Sequence, residues 1–208
     1  LSLHANDATV QEAGCAALAS LARDFASAAE AMVRGGSLRT VLPIMRRHET
    51  ESAVQAQAVE LLYNLTSAVD SDTHVARITA DLELEEAETA LLKVLELHGS
   101  AEPAFTYTVS LAALLTSNEF SGTWRLRLLK SGKFARELVL GMMAHATSEM
   151  AQAATLQALW GLANQVPEGR EEVRAAGALQ AAQAAWTRFP QPGGAVEEYA
   201  VNVHQLIK

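Results

Sequence analysis

The sequence is poor in cysteine and has no long apolar run, and each shortage excludes a class of protein. Its one cysteine, Cys15, rules out an internal disulfide and lacks the spacing of a metal site. No apolar run approaches the ~18 residues of a membrane-spanning helix. We therefore expect an intracellular, cytoplasmic protein with no membrane span.

Isoleucine and aromatic residues are also scarce: there are 3 isoleucines and 11 aromatic residues, against 40 alanines and 28 leucines. Alanine and leucine favour helices, whereas strands need β-branched and aromatic side chains. The composition therefore predicts an all-α fold. The net charge of −8 disfavours nucleic-acid binding, which needs a basic face.

A thirteen-residue frame repeats along the chain, most clearly as VQAQAVELLYNLT from Val54 to Thr66. Similar frames start at 10, 54, 104, 151 and 195, at intervals of 44, 50, 47 and 44 residues. A period in this range is typical of stacked helical repeats. We expect one long helix in each frame, with Leu62 and Leu159 at equivalent core positions.

The segments between the frames predict two shorter helices in each repeat. Glycines separate them at Gly36, Gly132 and Gly177, whereas the second repeat has Asp81 at this place. A histidine precedes four of the five frames by six residues; these are His4, His48, His98 and His145. Residues from successive repeats do not converge on one metal ion, so we place the histidines at helix C-termini, where the dipole favours them.

The pattern also predicts the details of the first two long helices. The pairs Thr9 with Glu12 and Ser52 with Gln55 fit the capping box that satisfies free N–H groups at a helix start. In the first helix, helical spacing predicts one core face. That face consists of Val10, Gly14, Ala17, Leu18 and Leu21.

Three helices in about 44 residues, with a glycine between the shorter two, resemble armadillo repeats. The matching segments are VQAQAVELLYNL, VQEAGCAALASLA with the later VRGGSLRTVL, and AQAATLQALWGLA with the later VRAAGALQAA. The resemblance implies a right-handed α-solenoid of about four repeats plus partial ends, forming one domain over residues 1–208. HEAT repeats, the nearest alternative, have two helices. We take the chain as a fragment of a larger protein, and residues 1–4 as the end of a preceding repeat.

The family's long helices line a concave groove that binds extended peptides through polar side chains. Nuclear-import adaptors carry Trp and Asn at fixed places four residues apart, and here only Asn64 keeps the Asn while no Trp occupies the Trp place. These departures argue against a receptor for nuclear-localisation signals and leave a groove of another specificity open. Opposite the apolar stripe, the helical spacing places polar and aromatic side chains that we predict to bind the partner. They are Gln57, Glu60, Tyr63, Asn64, Tyr107, Ser110, Gln157, Trp160 and Asn164.

We therefore predict a non-catalytic module, without cofactor or metal, that binds a peptide or helix of a partner protein. The alternative is an architectural spacer or a subunit of a larger assembly with no peptide in the groove. Tyr63 and Trp160 are either aromatic anchors for the partner or packing between repeats. No catalytic motif is present.

Two charged runs each allow two interpretations. The acidic run Asp81, Glu83, Glu85, Glu86 and Glu88 is either charge at a helix N-terminus on a solvated face or a docking patch for a basic partner. The basic run Arg125, Arg127, Lys130, Lys133 and Arg136 is either a solvated face or a patch for an acidic partner.

Overall fold

A computed structural model describes residues 2–68, 72–117 and 123–208 of the chain. These residues form thirteen α-helices, one short 3-10 helix (Ser2–His4) and no strand. The all-α prediction is therefore confirmed. The chain divides into two compact units, one up to Leu111 and the other from Ala112 to Lys208.

The first unit holds six complete helices and most of a seventh. They are α1 (Ala8–Asp24), α2 (Ala26–Arg34), α3 (Leu38–Arg47), α4 (Ser52–Ser67), α5 (Asp72–Leu84), α6 (Ala87–His98) and α7 (Glu102–Leu115), whose last turn belongs to the second unit. The long helices α1, α4 and α7 start within two residues of the repeating frames at 10, 54 and 104.

The second unit continues the same order of one long and two shorter helices. Its helices are α8 (Thr123–Leu129), α9 (Phe134–Ala144), α10 (Glu149–Ala163), α11 (Pro167–Ala175), α12 (Ala178–Arg188) and α13 (Ala195–Ile207). The long helices α10 and α13 coincide with the frames at 151 and 195. The frame therefore locates all five long helices.

Left-handed residues separate the two shorter helices of each repeat. Gly36, Gly132 and Gly177 have φ of 77°, 63° and 84°, values that glycine adopts without the steric cost of a Cβ. In the second repeat this role falls to Glu86, with φ of 49°, and not to Asp81. The second repeat differs because α5 continues to Leu84, so its break comes later than the sequence predicts.

The predicted capping boxes are wrong, because α1 is capped by another side chain and α4 has no side-chain cap. At α1 the N-cap is Asp7, whose Oδ1 accepts a hydrogen bond from the Val10 N–H at 3.2 Å. At α4 the N-cap is Glu51, whose side chain accepts no hydrogen bond from the N–H groups of the first turn. Gln55 is buried instead and faces the preceding helix end.

Buried glutamines tie two of the long helices, α4 and α10, to the end of the helix before them. Gln55 Nε2 donates to the carbonyl oxygens of Met45 and His48, both at 2.8 Å. Gln152 Nε2 donates in the same way to Met142 and His145, at 2.7 and 3.1 Å. Carbonyls at a helix C-terminus have no partner within the helix, so one amide group satisfies two of them.

Two of the repeated histidines connect successive repeats. His48 Nε2 lies 2.8 Å from the Ala5 carbonyl oxygen, and His98 Nε2 lies 2.6 Å from that of Glu49. A carbonyl oxygen only accepts, so each Nε2 carries the proton and donates. Their predicted place at helix ends is confirmed, since His48 is the C-cap of α3 and His98 ends α6. In the described part of the chain no group of His, Cys, Asp and Glu has the arrangement of a metal site.

The core positions are correct in the later long helices and wrong in the first. Leu62 and Leu159 are fully buried, as predicted. In α1, however, Val10 and Leu21 are exposed, and the buried side is Gln11, Cys15, Ala19 and Ala22. The helix α4 contacts α1, α2 and α3 and, through Tyr63 and Tyr107, α7. Among the described residues α1 contacts chiefly α2 and α4, so its predicted stripe remains exposed.

A side chain at Gly161 in α10 would meet Thr116, which lies close to the glycine. A Cβ at this position would contact Thr116 Oγ1 and lie 2.7 Å from Thr116 Cβ. We expect Gly161→Ala to lower the free energy of unfolding by about 1–3 kcal/mol, as overpacking does. Urea denaturation measures this change in the free energy of unfolding. The sign of the change tests the contact with Thr116, because without that contact an alanine in a helix interior would stabilise the protein by about 0.5–1 kcal/mol.

Candidate functional site

The predicted partner-binding residues lie on the long helices α4, α7 and α10 or at their ends. Seven of the nine are half-buried, as expected of side chains beside a surface. These are Gln57, Tyr63, Tyr107, Ser110, Gln157, Trp160 and Asn164. Glu60 and Asn64 are buried.

In the first unit, an aromatic pair joins two successive long helices. The rings of Tyr63 on α4 and Tyr107 on α7 lie 6.1 Å apart between centroids and are tilted by 46°. This tilted geometry is one that aromatic rings prefer. The pair gives the surface of the first unit a half-buried aromatic element.

A charged network lies beside this pair. Arg23 Nη1 of α1 bonds the Glu60 carboxylate at 2.8 Å, and half of the Arg23 side chain remains exposed. Burial raises the pKa of Tyr107, and the hydrogen bond from its hydroxyl to Glu60 raises it further. Three successive long helices, α1, α4 and α7, are thus connected through Glu60.

Glu60 and Asn64 are less available to a partner than the sequence predicts. The Asn64 side chain is buried, and its Nδ2 donates to the Ala19 carbonyl oxygen of α1 at 3.0 Å. Glu60 is occupied by Arg23 and Tyr107. We therefore expect Asn64→Ala to lower the free energy of unfolding by about 1 kcal/mol, because the variant loses this buried hydrogen bond.

The second unit has an equivalent aromatic pair. The rings of Trp160 on α10 and Tyr199 on α13 lie 6.2 Å apart and are tilted by 47°. Burial raises the pKa of Tyr199, and the charge of Glu198 adds to the shift. Trp160 occupies the same frame position as Tyr63, so the two units present aromatic pairs at corresponding places.

Tyr199 and Arg23 are not among the site residues predicted from the sequence. Tyr199 lies in the fifth frame, and a search for aromatic residues on every long helix would have found it. No sequence pattern identifies Arg23, because its partner Glu60 lies 37 residues later in the chain.

The glutamines Gln57 and Gln157, which the sequence does predict, form no side-chain hydrogen bond within the described part of the chain. Their amide groups therefore remain available.

Only the end of the acidic run lies at a helix N-terminus, where Glu88 is in the first turn of α6. Asp81 is in the last turn of α5, where the helix dipole disfavours negative charge. Arginines of α3 compensate: Arg39 Nε lies 2.6 Å from the buried Asp81 carboxylate, and Arg46 bonds Glu85 at 2.5 Å. Part of the acidic run therefore stabilises the contact between repeats.

The basic run is partly structural as well. Arg125 is buried, and its Nε donates to the Thr116 carbonyl oxygen at 3.0 Å, at the end of α7. The Arg127 guanidinium lies 5.5 Å from the centre of the Trp124 ring, within the range of a cation–π contact.

Cys15 is fully buried, and burial raises the pKa of its thiol to about 11, which makes the thiol unreactive near neutral pH.

Comparison with known proteins finds similarity in structure only. No profile of a known protein family matches the sequence, and no curated protein is similar to it. The structure is similar to the crystal structure of an engineered protein from the Northeast Structural Genomics Consortium, with a TM-score of 0.59 and 20% identity over 98% of this chain and 94% of that one. A second engineered protein from the same consortium has a TM-score of 0.49 and 19% identity, covering 99% of this chain and 93% of that one.

The similarity to the first engineered protein concerns the helical fold alone. In the described ranges, no helix combines the length and the apolar character that crossing a membrane requires.

Proposed function

We propose that the chain is an armadillo-like helical-repeat module, a right-handed α-solenoid, that binds a peptide or helix of a partner protein along its long helices. The regular position of the five long helices supports this fold, as do the left-handed glycines between the shorter ones. The module acts without catalysis, cofactor or metal. The single buried thiol suits a reducing compartment, so we propose that the protein is located in the cytoplasm.

The observation that carries the proposal is the pair of half-buried aromatic contacts, Tyr63 with Tyr107 and Trp160 with Tyr199. Tyrosine and tryptophan are enriched in binding hot spots, because each combines a large apolar surface with a polar group. Each pair lies on long helices that also carry a glutamine whose side chain has no hydrogen bond to the described residues, Gln57 in one unit and Gln157 in the other.

The spacing of stacked helices matches that of an extended chain. Adjacent helices lie about 8–10 Å apart, and a strand advances by roughly 3.3 Å per residue, so one repeat corresponds to about three residues of a peptide. An amide side chain both donates and accepts, and so pairs with a peptide backbone. We therefore propose that Gln57 and Gln157 bind the partner's main chain and that the aromatic pairs contact its side chains.

A second candidate function is architectural, and one observation favours it. Glu60 and Asn64 are used in contacts between α1 and α4, so part of the polar surface of the long helices stabilises the stack itself. If Gln57 and Gln157 have no partner either, the chain is a spacer or a subunit of a larger assembly.

Selection from a library of random peptides distinguishes the two functions. We expect the purified protein to enrich related peptides, and Tyr63→Ala or Trp160→Ala to weaken binding of an enriched peptide about tenfold or more. Isothermal titration calorimetry measures the change. The matched control is Trp186→Ala, because Trp186 is a partly exposed tryptophan on the short helix α12.

The outcomes separate the proposals. If no peptide is enriched, the architectural function replaces the binding function. If peptides are enriched but bind equally well to the Tyr63, Trp160 and Trp186 variants, the chain binds a partner through another surface.

A further inference from the structure

A cavity of about 250 Å³ opens between α3, α4 and α6 in the first unit. Met45 and Ala90 are buried in its wall and form its apolar part. Glu49 and Glu86 also line it, and both are exposed at its edge. We call this space the α3–α6 cavity. Its volume is just below the roughly 300–1,000 Å³ of pockets for drug-sized ligands, so it suits a single side chain.

Gln55 of α4 adds a hydrogen-bond acceptor to the wall of the α3–α6 cavity. The residue is only 2% exposed. Its Nε2 is used by the carbonyl oxygens of Met45 and His48, whereas its Oε1 accepts no hydrogen bond from the described part of the chain. An acceptor in a buried side chain gains from a donor that enters the cavity.

The unpaired charge of the α3–α6 cavity is negative. The carboxylates of Glu49 and Glu86 form no ion pair or hydrogen bond with the described residues. The two cations of the lining, Arg46 and Lys93, are already paired with carboxylates outside it. Two unpaired carboxylates beside an apolar wall favour a ligand that combines a positive charge with an apolar stem.

The backbone at Glu86 is strained in a way that the other repeats avoid. Glu86 has a φ of 49°, whereas glycine holds the break between the two shorter helices elsewhere, at Gly36, Gly132 and Gly177. A glutamate is uncommon in this left-handed region, because its Cβ crowds the following carbonyl oxygen. Strain of this kind is concentrated at functional sites, and here it places a carboxylate at the edge of the cavity.

The second unit has a cavity at the equivalent place, but no carboxylate lines it. This cavity measures about 220 Å³ and lies between α9, α10 and α12. Gln152 lines it and binds the end of α9 as its counterpart binds the end of α3. Ala146 takes the place of Glu49, and Gly177 takes that of Glu86. The fold therefore forms this space in both units, and the sequence makes it acidic in the first.

We propose that the α3–α6 cavity binds an arginine side chain of a partner protein. The methylene stem packs on Met45 and Ala90, and the guanidinium pairs with Glu49 and Glu86. A guanidinium carries five N–H donors in one plane, so it bonds a carboxylate and the Gln55 Oε1 together, whereas an ammonium group acts as a point charge. None of these residues belongs to the proposed peptide surface, so this contact does not depend on the aromatic pairs.

A nuclear magnetic resonance titration with Nα-acetyl-arginine methylamide tests the proposal. We expect saturable shifts of the amides around Met45, Gln55 and Ala90, and none around Gln152 in the second unit. The equivalent lysine compound should bind more weakly because it lacks the planar fork, and guanidinium chloride should bind more weakly because it lacks the stem. The proposal is overturned if the arginine compound gives no saturable shift, shifts both cavities alike, or binds no better than either comparison probe.

Glu49→Gln and Glu86→Gln should each weaken binding of the arginine compound about two- to fivefold, as the loss of an exposed ion pair does. The matched control is Glu51→Gln, which removes an exposed carboxylate two residues further along that does not line the cavity. Its affinity should stay unchanged.

Glu86→Gly separates the role of the carboxylate from that of the backbone. This variant should also weaken binding, but its melting temperature should be unchanged or higher, because glycine adopts the left-handed conformation without steric cost. If the variants at Glu49 and Glu86 bind the arginine compound as tightly as Glu51→Gln does, these carboxylates do not form the site and the proposal is overturned.

Discussion

Leu62→Ala should lower the free energy of unfolding by about 2–5 kcal/mol, and Leu159→Ala should do the same in the second unit. Both side chains are fully buried in their long helices. The loss combines the transfer free energy of the removed methyl groups with the cavity that remains. Urea denaturation followed by circular dichroism measures both values.

The control for these variants is Leu97→Ala, which removes the same groups from a half-exposed side chain on α6. Its effect should stay below about 1 kcal/mol, since much of this side chain is already in contact with water. Losses as small as this for Leu62→Ala or Leu159→Ala would show that the long helices do not form the core.

Gln55→Ala should lower the free energy of unfolding by about 2 kcal/mol or more, because it leaves two buried carbonyls without a donor and each costs about 1–3 kcal/mol. Its Nε2 satisfies the carbonyl oxygens of both Met45 and His48 at the end of α3. Gln152→Ala should behave alike, because Gln152 bonds the carbonyls at the end of α9 in the same way. Urea denaturation measures both losses.

Gln57→Ala is the matched control, because Gln57 is a half-buried glutamine of the same helix without a side-chain hydrogen bond in the described residues. We expect a change within about 0.5 kcal/mol. If Gln55→Ala and Gln57→Ala are equally mild, water satisfies the carbonyls of Met45 and His48, and the glutamines do not hold the helix ends.

The helices are largely predictable from the sequence because their signals are local. The bounds of α2, α3 and α9 agree with the spacing of apolar residues and with the glycine breaks. The core side of α1 is not predictable in this way. The same apolar stripe is buried in α4 and exposed in α1, and only the presence of a neighbouring helix decides between them.

The candidate site is less predictable, because its polar side chains have partners far away in the sequence. Asn64 bonds Ala19, 45 residues earlier, and Glu60 bonds Arg23. Helical spacing identifies both as polar positions of α4, but it does not reveal that a neighbouring helix already uses them. The aromatic residues Tyr63 and Trp160 are identifiable because they repeat at one fixed place in the frame.

The most direct test of the proposed binding surface is a nuclear magnetic resonance titration of the protein with a peptide enriched from the library. We expect the largest changes in amide chemical shift around Gln57, Tyr63 and Tyr107 in the first unit and around Gln157, Trp160 and Tyr199 in the second. Changes confined to the acidic segment from Glu83 to Glu88 would contradict the claim that the long helices form the binding surface.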